Sequence, residues 1–215
     1  MAPGGAVEVL SGVELQLTAG QVVAVLGPSG SGKSTLLHLL GGLDRPDAGQ
    51  IFWSDFPVHQ YKPTDLSERR AKFVGLVFQH HYLLSDLSLL ENVSLPSRII
   101  GAPDESRARE LLVRVGLEGR LHHTPSRVSG GERQRAAVAR ALALKPKLIL
   151  ADEPTGSLDR RRAEEVLQLL LELAAQEGAA VMLVTHDEDL VNKAGIPTLR
   201  LENGRVIGSP ANYPV

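Results

Sequence analysis

The stretch Gly27-Pro28-Ser29-Gly30-Ser31-Gly32-Lys33-Ser34-Thr35 decides the fold of this chain, because it fits the phosphate-loop pattern G-x-x-x-x-G-K-[ST]. The apolar run Val22-Val23-Ala24-Val25-Leu26 before it predicts a buried strand, and residues 36–40 after it predict a helix. Glycines let the backbone turn tightly, so that successive N–H groups point at one anion, and the helix start adds the positive end of its dipole. The sequence therefore predicts that all nine residues of this loop bind the phosphates of a nucleotide.

Two side chains of the loop have separate predicted roles. Lys33 supplies a mobile positive charge for the outer phosphates, and Ser34 supplies a hydroxyl ligand for Mg²⁺. A chance match in a glycine-rich chain is the alternative interpretation, and the strand before the loop and the helix after it argue against that alternative. The loop alone does not distinguish a kinase, a GTPase and the motor of a transporter.

Length and composition bound the class of protein. The 215 residues suffice for one large domain or two small ones, and an apolar fraction of 43% is ordinary for a soluble globular protein. The net charge of -2 gives no indication of a polyanionic binding partner, so we expect no nucleic-acid partner. The sequence contains no cysteine, which excludes disulfides and thiolate metal sites and fits a reducing cytosol.

Hydropathy predicts how the chain relates to a membrane. No apolar run approaches the roughly 20 residues that span a bilayer. Residues 1–20 lack the charged start and the apolar centre of a signal peptide. We therefore expect a cytoplasmic chain, whose role at a membrane comes through a separate partner chain.

Strands that alternate with helices predict an α/β fold with a mainly parallel sheet. Beyond residues 22–26, buried strands are predicted at residues 50–53, 73–78, 148–151 and 181–185. Antiparallel strands are predicted at both ends of the chain, at residues 7–10 and 13–17 and again at residues 198–201 and 205–207. The last two flank Asn203-Gly204, which is a strong hairpin turn.

A helical block interrupts this alternation. Residues 88–116 have apolar positions at helical spacing. Pro96 and Pro103 are expected to divide this segment into separate helices. Further helices are predicted from Ser129 to about residue 144 and over residues 160–176. We expect a single domain over residues 1–215, in which residues 1–80 and 146–215 form the core and residues from about 81 to 145 form a helical subdomain.

Polar side chains follow three of the predicted strands, at the edge of the sheet where ligands of open α/β sheets bind. Asp152 is predicted to hold Mg²⁺ opposite Ser34, and Glu153 is placed to take a proton from an attacking water molecule. Gln79 offers an amide to water or Mg²⁺, and His186 offers a hydrogen bond to a γ-phosphate or to that water. The alternatives are a helix-capping acidic pair at Asp152-Glu153 and purely structural roles for Gln79 and His186.

Ser129-Gly130-Gly131-Glu132 forms a second backbone anion cradle at a helix start. Its alternative is simple capping, with Ser129 as the N-cap and Glu132 in the reciprocal position of a capping box. The two interpretations are compatible. One chain seldom needs two cradles for one triphosphate, so we expect the second cradle to serve a nucleotide bound to another copy of the chain.

The order of these motifs resembles that of ATP-binding-cassette (ABC) transporter ATPases over nearly the whole chain. The matching segments are residues 27–35 (Walker A), Gln79 (Q-loop), Ser129-Gly130-Gly131-Glu132-Arg133-Gln134 (signature), residues 148–153 (Walker B), Ser157-Leu158-Asp159 (D-loop) and His186 (H-loop). The resemblance implies a P-loop NTPase fold with a RecA-like core, and hydrolysis of ATP with Mg²⁺. It also implies a homodimer closed head to tail on two ATP molecules, in which Ser129, Gly130, Gly131 and Glu132 cap the partner's γ-phosphate and Asp159 lies at the dimer contact.

Four further segments resemble the lipoprotein-releasing (LolD-type) and macrolide-export (MacB-type) branches of that family. They are residues 36–44, Glu91-Asn92-Val93, residues 130–135 and residues 151–156. Such ATPases drive a separate membrane permease, so the resemblance implies export or release of a lipoprotein or hydrophobic substrate. It also implies that the segment after Gln79, through about Val93, contacts the permease and holds the chain at the inner face of the membrane. Val128 and Ser85 depart from the family pattern, which has Leu and Pro there.

Two other functions stay open on the sequence. A soluble ABC ATPase of DNA or translation complexes usually carries a coiled-coil insertion or two cassettes, and this sequence has neither. A regulatory cassette coupled to a cell-division or signalling complex carries the same motifs, because the coupling lies in its partner. The family usually places an aromatic that stacks on adenine before the position of Leu10. This sequence has none there, so either the start is misassigned or adenine is bound without that stack.

Overall fold

The computed structural model describes residues 8–207 of the chain. The strands in that range are β1 Val22–Leu26, β2 Phe52–Trp53, β3 Phe56–Pro57, β4 Val74–Phe78, β5 Leu148–Asp152, β6 Ala180–Val184, β7 Thr198–Glu202 and β8 Arg205–Ile207. The helices there are α1 Lys33–Leu40, α2 Ser67–Phe73, α3 Leu89–Ile99, α4 Glu105–Arg114, α5 Gly130–Ala141, α6 Arg160–Glu177 and α7 Glu188–Lys193. Short 3₁₀ turns lie between some of them.

A mainly parallel sheet carries the fold, with its strands in the order β4-β5-β6-β1-β7-β8. Neighbouring strands from β4 to β7 are parallel, and β7 and β8 form the predicted antiparallel hairpin. The strands end at one level, since Phe78 pairs with Asp152 and Asp152 pairs with Val184. The residues that follow these three strands therefore leave the sheet at the same edge, and the predicted α/β class with a parallel core is confirmed.

Apolar side chains cover both faces of the sheet, as a buried parallel sheet requires. Successive residues of β5 point to opposite faces, so Ile149 and Leu150 belong to different hydrophobic clusters. The Leu150 cluster includes α1 residues Leu36 and Leu37, whereas the Ile149 cluster collects apolar residues of α3, α4, α5 and α6. The sheet is consequently the middle layer between two helical layers.

The predicted strands at residues 7–10 and 13–17 are wrong for the part of the chain that the structure describes, and Val7 lies outside it. No strand is assigned to residues 8–21. Alternate residues such as Val13, Leu15 and Leu17 do pack against the Leu150 cluster. The Ser11 N–H donates to the Gly204 carbonyl at 2.9 Å, which joins this segment to the turn of the β7–β8 hairpin. Alternating hydrophobicity reports the buried side of an extended chain, and a strand also requires a continuous ladder of backbone partners.

Pro96 does not break the helical block as predicted, because α3 runs through it to Ile99. The helix start is stabilised by a capping box, in which Ser88 N–H donates to Glu91 at 2.8 Å and Glu91 N–H donates to Ser88 Oγ at 3.2 Å. Pro103 does lie between α3 and α4. The structure thus has α3, α4 and α5 between β4 and β5, and the division of the chain into a core and a subdomain remains a prediction.

A cluster of charges ties α4 to the end of α6. Glu177 accepts hydrogen bonds from Arg107 at 2.5 Å and from Arg114 at 3.1 Å, and the side chains of Arg107 and Glu177 are only 9% and 12% exposed. Burial by itself raises the pKa of Glu177, but the hydrogen bonds and charges of the two arginines outweigh it and lower that pKa below 4.5. The ionised carboxylate therefore stabilises the fold.

Glu177→Gln is predicted to lower the free energy of unfolding by about 2 kcal/mol at neutral pH, because Arg107 and Arg114 lose their buried shared carboxylate and keep only the exposed carboxylate of Glu110. A carboxylate whose pKa is lowered on folding stabilises above its unfolded pKa, and that stability is lost as the pH falls through the folded pKa. The difference between wild type and variant is therefore largest at neutral pH and shrinks below pH 4.5. Urea unfolding at several pH values measures it.

The exposed Glu68, which pairs with Lys72, provides the matched control. Glu68→Gln is expected to leave the unfolding free energy within experimental error of wild type, because exposed pairs contribute little. A destabilisation by Glu177→Gln that does not change with pH would contradict the ionic explanation.

Candidate nucleotide site

A cavity of about 350 Å³ opens at the carboxyl edge of the parallel sheet. It brings together three parts of the chain: the predicted phosphate loop, the end of β5 and His186, which lies after β6. The residues that line it are Val9, Ser29, Gly30, Gly32, Lys33, Ser34, Thr35, Asp152, Glu153 and His186. The lining therefore combines the cationic Lys33 with the carboxylates of Asp152 and Glu153.

The phosphate loop has the backbone shape that the sequence predicts. Gly30 and Gly32 have φ angles of +79° and +100°, which glycine adopts without strain. The helix α1 starts directly after Gly32, and no side chain caps its start. The first N–H groups of this helix are therefore free of a side-chain cap, at the end where the helix dipole is positive.

Lys33 and Gly27 fix the loop from its two ends. The buried ammonium of Lys33 donates to the carbonyls of Gly27 and Pro28, each at 2.8 Å, so that its charge lies across the loop. A Cβ atom on Gly27 would lie 2.2 Å from the Leu201 carbonyl oxygen on β7. Only glycine fits there, so this position holds the loop against the sheet.

Glu153 joins the ends of β5 and β6. Its φ angle is +46°, and its N–H donates to the Val184 carbonyl at 2.8 Å. Thr185 Oγ1 donates to Glu153 Oε2 at 3.0 Å, and His186 Nδ1 lies 2.7 Å from Oε1. Each carboxylate oxygen thus has a hydrogen-bond partner, which fixes the orientation of the group in the cavity.

Thr185 is a site residue that the sequence analysis did not single out. Its side chain is buried, and besides donating to Glu153 it accepts a hydrogen bond from the Asp187 N–H at 3.1 Å. The sequence offered one signal for Thr185: it stands between an apolar strand and His186. A hydroxyl at the end of a strand can donate a hydrogen bond to a side chain at the end of the neighbouring strand.

Gln79 does not line the cavity with the other predicted residues. It follows β4, and both β5 and β6 lie between β4 and β1, which leads into the phosphate loop. Its amide lies instead beside Gly156, where a Cβ atom would be 3.0 Å from Gln79 Nε2. Gln79 therefore lies further along the same edge of the sheet.

The Ser129–Glu132 motif also lies outside the cavity lining. Both halves of the capping box form: Glu132 N–H donates to Ser129 Oγ at 3.3 Å, and Ser129 N–H donates to Glu132 at 2.7 Å. The backbone hydrogen bond from Ser129 lowers the pKa of Glu132 below its ordinary value. Asp159 likewise caps α6, since its carboxylate accepts from Arg162 N–H at 3.1 Å. The structure confirms the capping interpretation for Ser129, which leaves an additional role for the motif open.

The donor atoms of the cavity suit Mg²⁺. Ser34 and Asp152 both line it and offer hydroxyl and carboxylate oxygens, the ligand type that Mg²⁺ prefers. Among residues 8–207, no group of three or more His, Cys, Asp or Glu side chains could hold a metal ion by itself. A site of this kind fits an ion that shares its coordination sphere with phosphates and water.

The chain matches one protein family and several characterised relatives. Residues 10–156 match the family described as ABC transporter. The chain is 52% identical over 193 residues to the lipoprotein-releasing system ATP-binding protein LolD of Idiomarina loihiensis, covering 88% of this chain and 85% of that relative. It is 46% identical over 206 residues to the protein of the same name from Bacteroides fragilis, covering 94% and 95%.

Two solved structures of dimers are similar to this fold. The ATP-binding cassette MJ0796 in a post-hydrolysis state bound to ADP and Pi has a TM-score of 0.85 at 36% identity, over 97% of this chain and 92% of that one. A second dimeric structure of MJ0796, described as a bacterial ABC transporter cassette, has a TM-score of 0.82 at 38% identity, over 93% and 89%. Within residues 8–207, no helix is both long and apolar enough to cross a membrane.

Gly27→Ala is predicted to weaken ATP binding by at least about tenfold, because the added Cβ pushes the loop away from the Leu201 carbonyl, and tenfold corresponds to only about 1.4 kcal/mol. Calorimetric titration with ATP measures the affinity. Gly119→Ala is the control, since a Cβ there meets no atom within 4 Å. Equal affinities for Gly27→Ala and wild type would contradict the placement of the phosphates in this loop.

Proposed function

This chain belongs to the ABC transporter family of ATP-binding proteins, and we propose that two copies of it form the motor of a lipoprotein-releasing system. As a member of that family it binds ATP and hydrolyses it to drive a separate membrane permease. The substrate class is supported by relatives from Idiomarina loihiensis, Gluconobacter oxydans and Bacteroides fragilis, which carry the same name and are 46% to 52% identical to this chain.

The phosphate loop binds ATP in this proposal. Its backbone N–H groups and the Lys33 ammonium neutralise the β- and γ-phosphates, which replace the Gly27 and Pro28 carbonyls as partners of that ammonium. Ser34 and Asp152, with Gln79 further along the same edge, would hold Mg²⁺, which supplies positive charge against the negative charge that develops on the phosphates. The composition of the cavity supports this arrangement, because the loop and the two carboxylates of Asp152 and Glu153 line the same cavity.

Glu153 acts as the general base. A water molecule in line with the γ-phosphate gives a proton to the Glu153 carboxylate as its oxygen attacks phosphorus, and ADP leaves with the electrons of the broken bond. Thr185 and His186 hold the two carboxylate oxygens at 3.0 and 2.7 Å, so the base is oriented before the water binds. In this proposal His186, which lines the same cavity, also contacts the γ-phosphate.

The observation that carries the proposal is that the Ser129–Glu132 motif lies outside the cavity in its own chain. The motif stands at the start of α5, where the N–H groups of a helix end favour an anion. In a head-to-tail dimer, residues 129–132 of one copy would cap the γ-phosphate held by the other, and Asp159 would lie at the contact. The two MJ0796 structures support a dimer, because both are described as dimeric.

The permease contacts the segment that follows Gln79, through about Val93. Tyr82 and Leu84 support this assignment, because their side chains are 62% and 49% exposed although both are largely apolar. The chain is thereby held at the cytoplasmic face of the membrane, and neither proposed contact involves a nucleic acid.

Glu153→Gln is predicted to reduce ATP turnover at least about a hundredfold while ATP binding is retained, because an amide cannot accept the water proton. The uncleaved ATP is expected to trap a dimer, which light scattering after incubation with Mg-ATP detects. Glu165→Gln, on an exposed position of α6, is the control and is expected to keep the wild-type rate. Hydrolysis near the wild-type rate in Glu153→Gln would rule out this base.

Ser129→Arg is predicted to abolish turnover while each subunit still binds ATP with wild-type affinity, since the arginine side chain blocks the cradle offered to the other copy. Steady-state hydrolysis and ATP titration of the same preparation separate the two effects. Ser106→Arg introduces the same side chain at an exposed position of α4 and is expected to hydrolyse ATP normally. Normal turnover in Ser129→Arg would exclude a site shared between copies.

A further inference from the structure

The Thr185 hydroxyl that holds the proposed base is itself held by the backbone. Its Oγ1 accepts a hydrogen bond from the Asp187 N–H at 3.1 Å and donates one to Glu153 Oε2 at 3.0 Å. A hydroxyl has a single proton to donate, so the Asp187 N–H occupies a lone pair and leaves that proton to the carboxylate. The Glu153 side chain is only 19% exposed, so such protein contacts set its direction. The direction of the base therefore depends on where the Asp187 N–H lies.

The Asp187 carboxylate fixes the turn after β6 through two different contacts. Its Oδ1 accepts a hydrogen bond from the Leu190 N–H at 2.9 Å, which caps the start of α7. Arg160 Nη1, at the start of α6, lies 3.1 Å from the same oxygen and 3.2 Å from Oδ2. The first contact lies within the turn and α7, whereas the second reaches the turn from a different helix. Arg160 thus joins α6 to the turn that carries His186.

Arg160 belongs to a row of alternating charges between α6 and α7. Its Nε donates to Glu164 Oε1 at 3.2 Å, and Lys193 Nζ on α7 donates to Glu164 Oε2 at 2.7 Å. The guanidinium therefore contacts two carboxylates at once, which holds its planar fork of donors in one orientation. The side chains of Arg160 and Asp187 are 49% and 33% exposed, so solvent reduces the contribution of their pair to stability. The pair constrains the geometry of the turn more than it stabilises the fold.

Arg160 differs from the two arginines that follow it at the start of α6. Arg161 pairs with Glu165 one turn further along the same helix, and Arg162 pairs with Asp159, the N-cap of that helix. A positive charge at the first position of a helix opposes the helix dipole, so the stability of α6 does not explain Arg160. Its contact with the turn after β6 does give it a role.

We propose that Arg160 is a positioning residue for the general base. Its guanidinium fixes Asp187, and the Asp187 N–H in turn fixes the Thr185 hydroxyl. That hydroxyl holds the Glu153 carboxylate in the orientation in which it accepts the proton of the attacking water. Arg160 does not line the cavity, so its loss slows the chemical step and leaves the binding of ATP unchanged. This inference rests on the proposed function, since it takes Glu153 as the base.

Arg160→Gln is expected to lower the turnover at saturating Mg-ATP by about fivefold, as fits the loss of one partly exposed contact. The affinity for ATP, measured by calorimetric titration, is expected to stay at the wild-type value, because the contact is made outside the cavity. Arg160→Lys keeps a charged donor for Asp187 and is expected to recover most of the lost rate. Arg161→Gln removes the neighbouring guanidinium and is the control, which is expected to keep the wild-type turnover.

Combined variants test whether the effect passes through Thr185 and Glu153. In a chain with Thr185→Val, or in one with Glu153→Gln, Arg160→Gln is expected to cause no further loss of the residual rate, measured with radiolabelled ATP. Thr185→Ser keeps a hydroxyl, so the loss caused by Arg160→Gln is expected to persist there. The Glu153→Gln background carries the test if Thr185→Val does not fold. Light scattering of that background with Mg-ATP, with and without Arg160→Gln, is expected to show the same dimer.

Three results would overturn the inference. They are wild-type turnover in Arg160→Gln, a further loss that Arg160→Gln still causes when the base or the hydroxyl is absent, and a loss of the Mg-ATP dimer that accounts for the lower rate. An equal loss in Arg161→Gln would likewise contradict it, because that arginine does not contact Asp187. Hydrolysis by Glu153→Gln near the wild-type rate would instead contradict the proposed function, so the two failures are distinguishable.

Discussion

The alignment of the carboxyl ends of the parallel strands is the constraint on which the rest of the structure depends. Because β4, β5 and β6 end together, every residue that follows a strand reaches the same edge of the sheet, including Glu153 and Thr185. The backbone hydrogen bond from Glu153 N–H to the Val184 carbonyl joins β5 to β6 at a residue with a positive φ angle. The chemistry of the site is therefore a consequence of strand pairing, and apolar packing on both faces of the sheet keeps that pairing in place.

The order of the strands also supports the proposed sharing of the site between two copies. The phosphate loop follows β1, whereas Gln79 follows β4, and two strands separate them. The helix α5, which Ser129 caps, packs in the Ile149 cluster on one face of the sheet and contributes nothing to the cavity lining. In the proposed function, a triphosphate in the cavity meets the positive charge of Lys33 and the base Glu153 of one copy, and a second copy supplies residues 129–132.

The sequence alone predicts the structure correctly wherever residues close together in the chain determine the local fold. A glycine-rich loop between an apolar run and a helix can fold in few ways, and Asp152-Glu153 after a buried strand has to appear at the sheet edge. The strands predicted at residues 7–10 and 13–17 are wrong within the described range, because alternation reports burial and not pairing. The break predicted at Pro96 is wrong because the capping box and the packing of α3 outweigh one missing hydrogen bond. Thr185 and Arg160 were missed since their partners are distant in sequence, at Glu153 and at Asp187.

The central claim, that two copies complete each hydrolytic site, is tested most directly by measuring the ATPase rate per chain as a function of chain concentration, with light scattering on the same samples. The account predicts that the rate per chain rises in proportion to concentration while the chain is mainly monomeric, and becomes constant once dimers dominate. A rate per chain that stays at its maximum in samples that light scattering shows to be monomeric would contradict it.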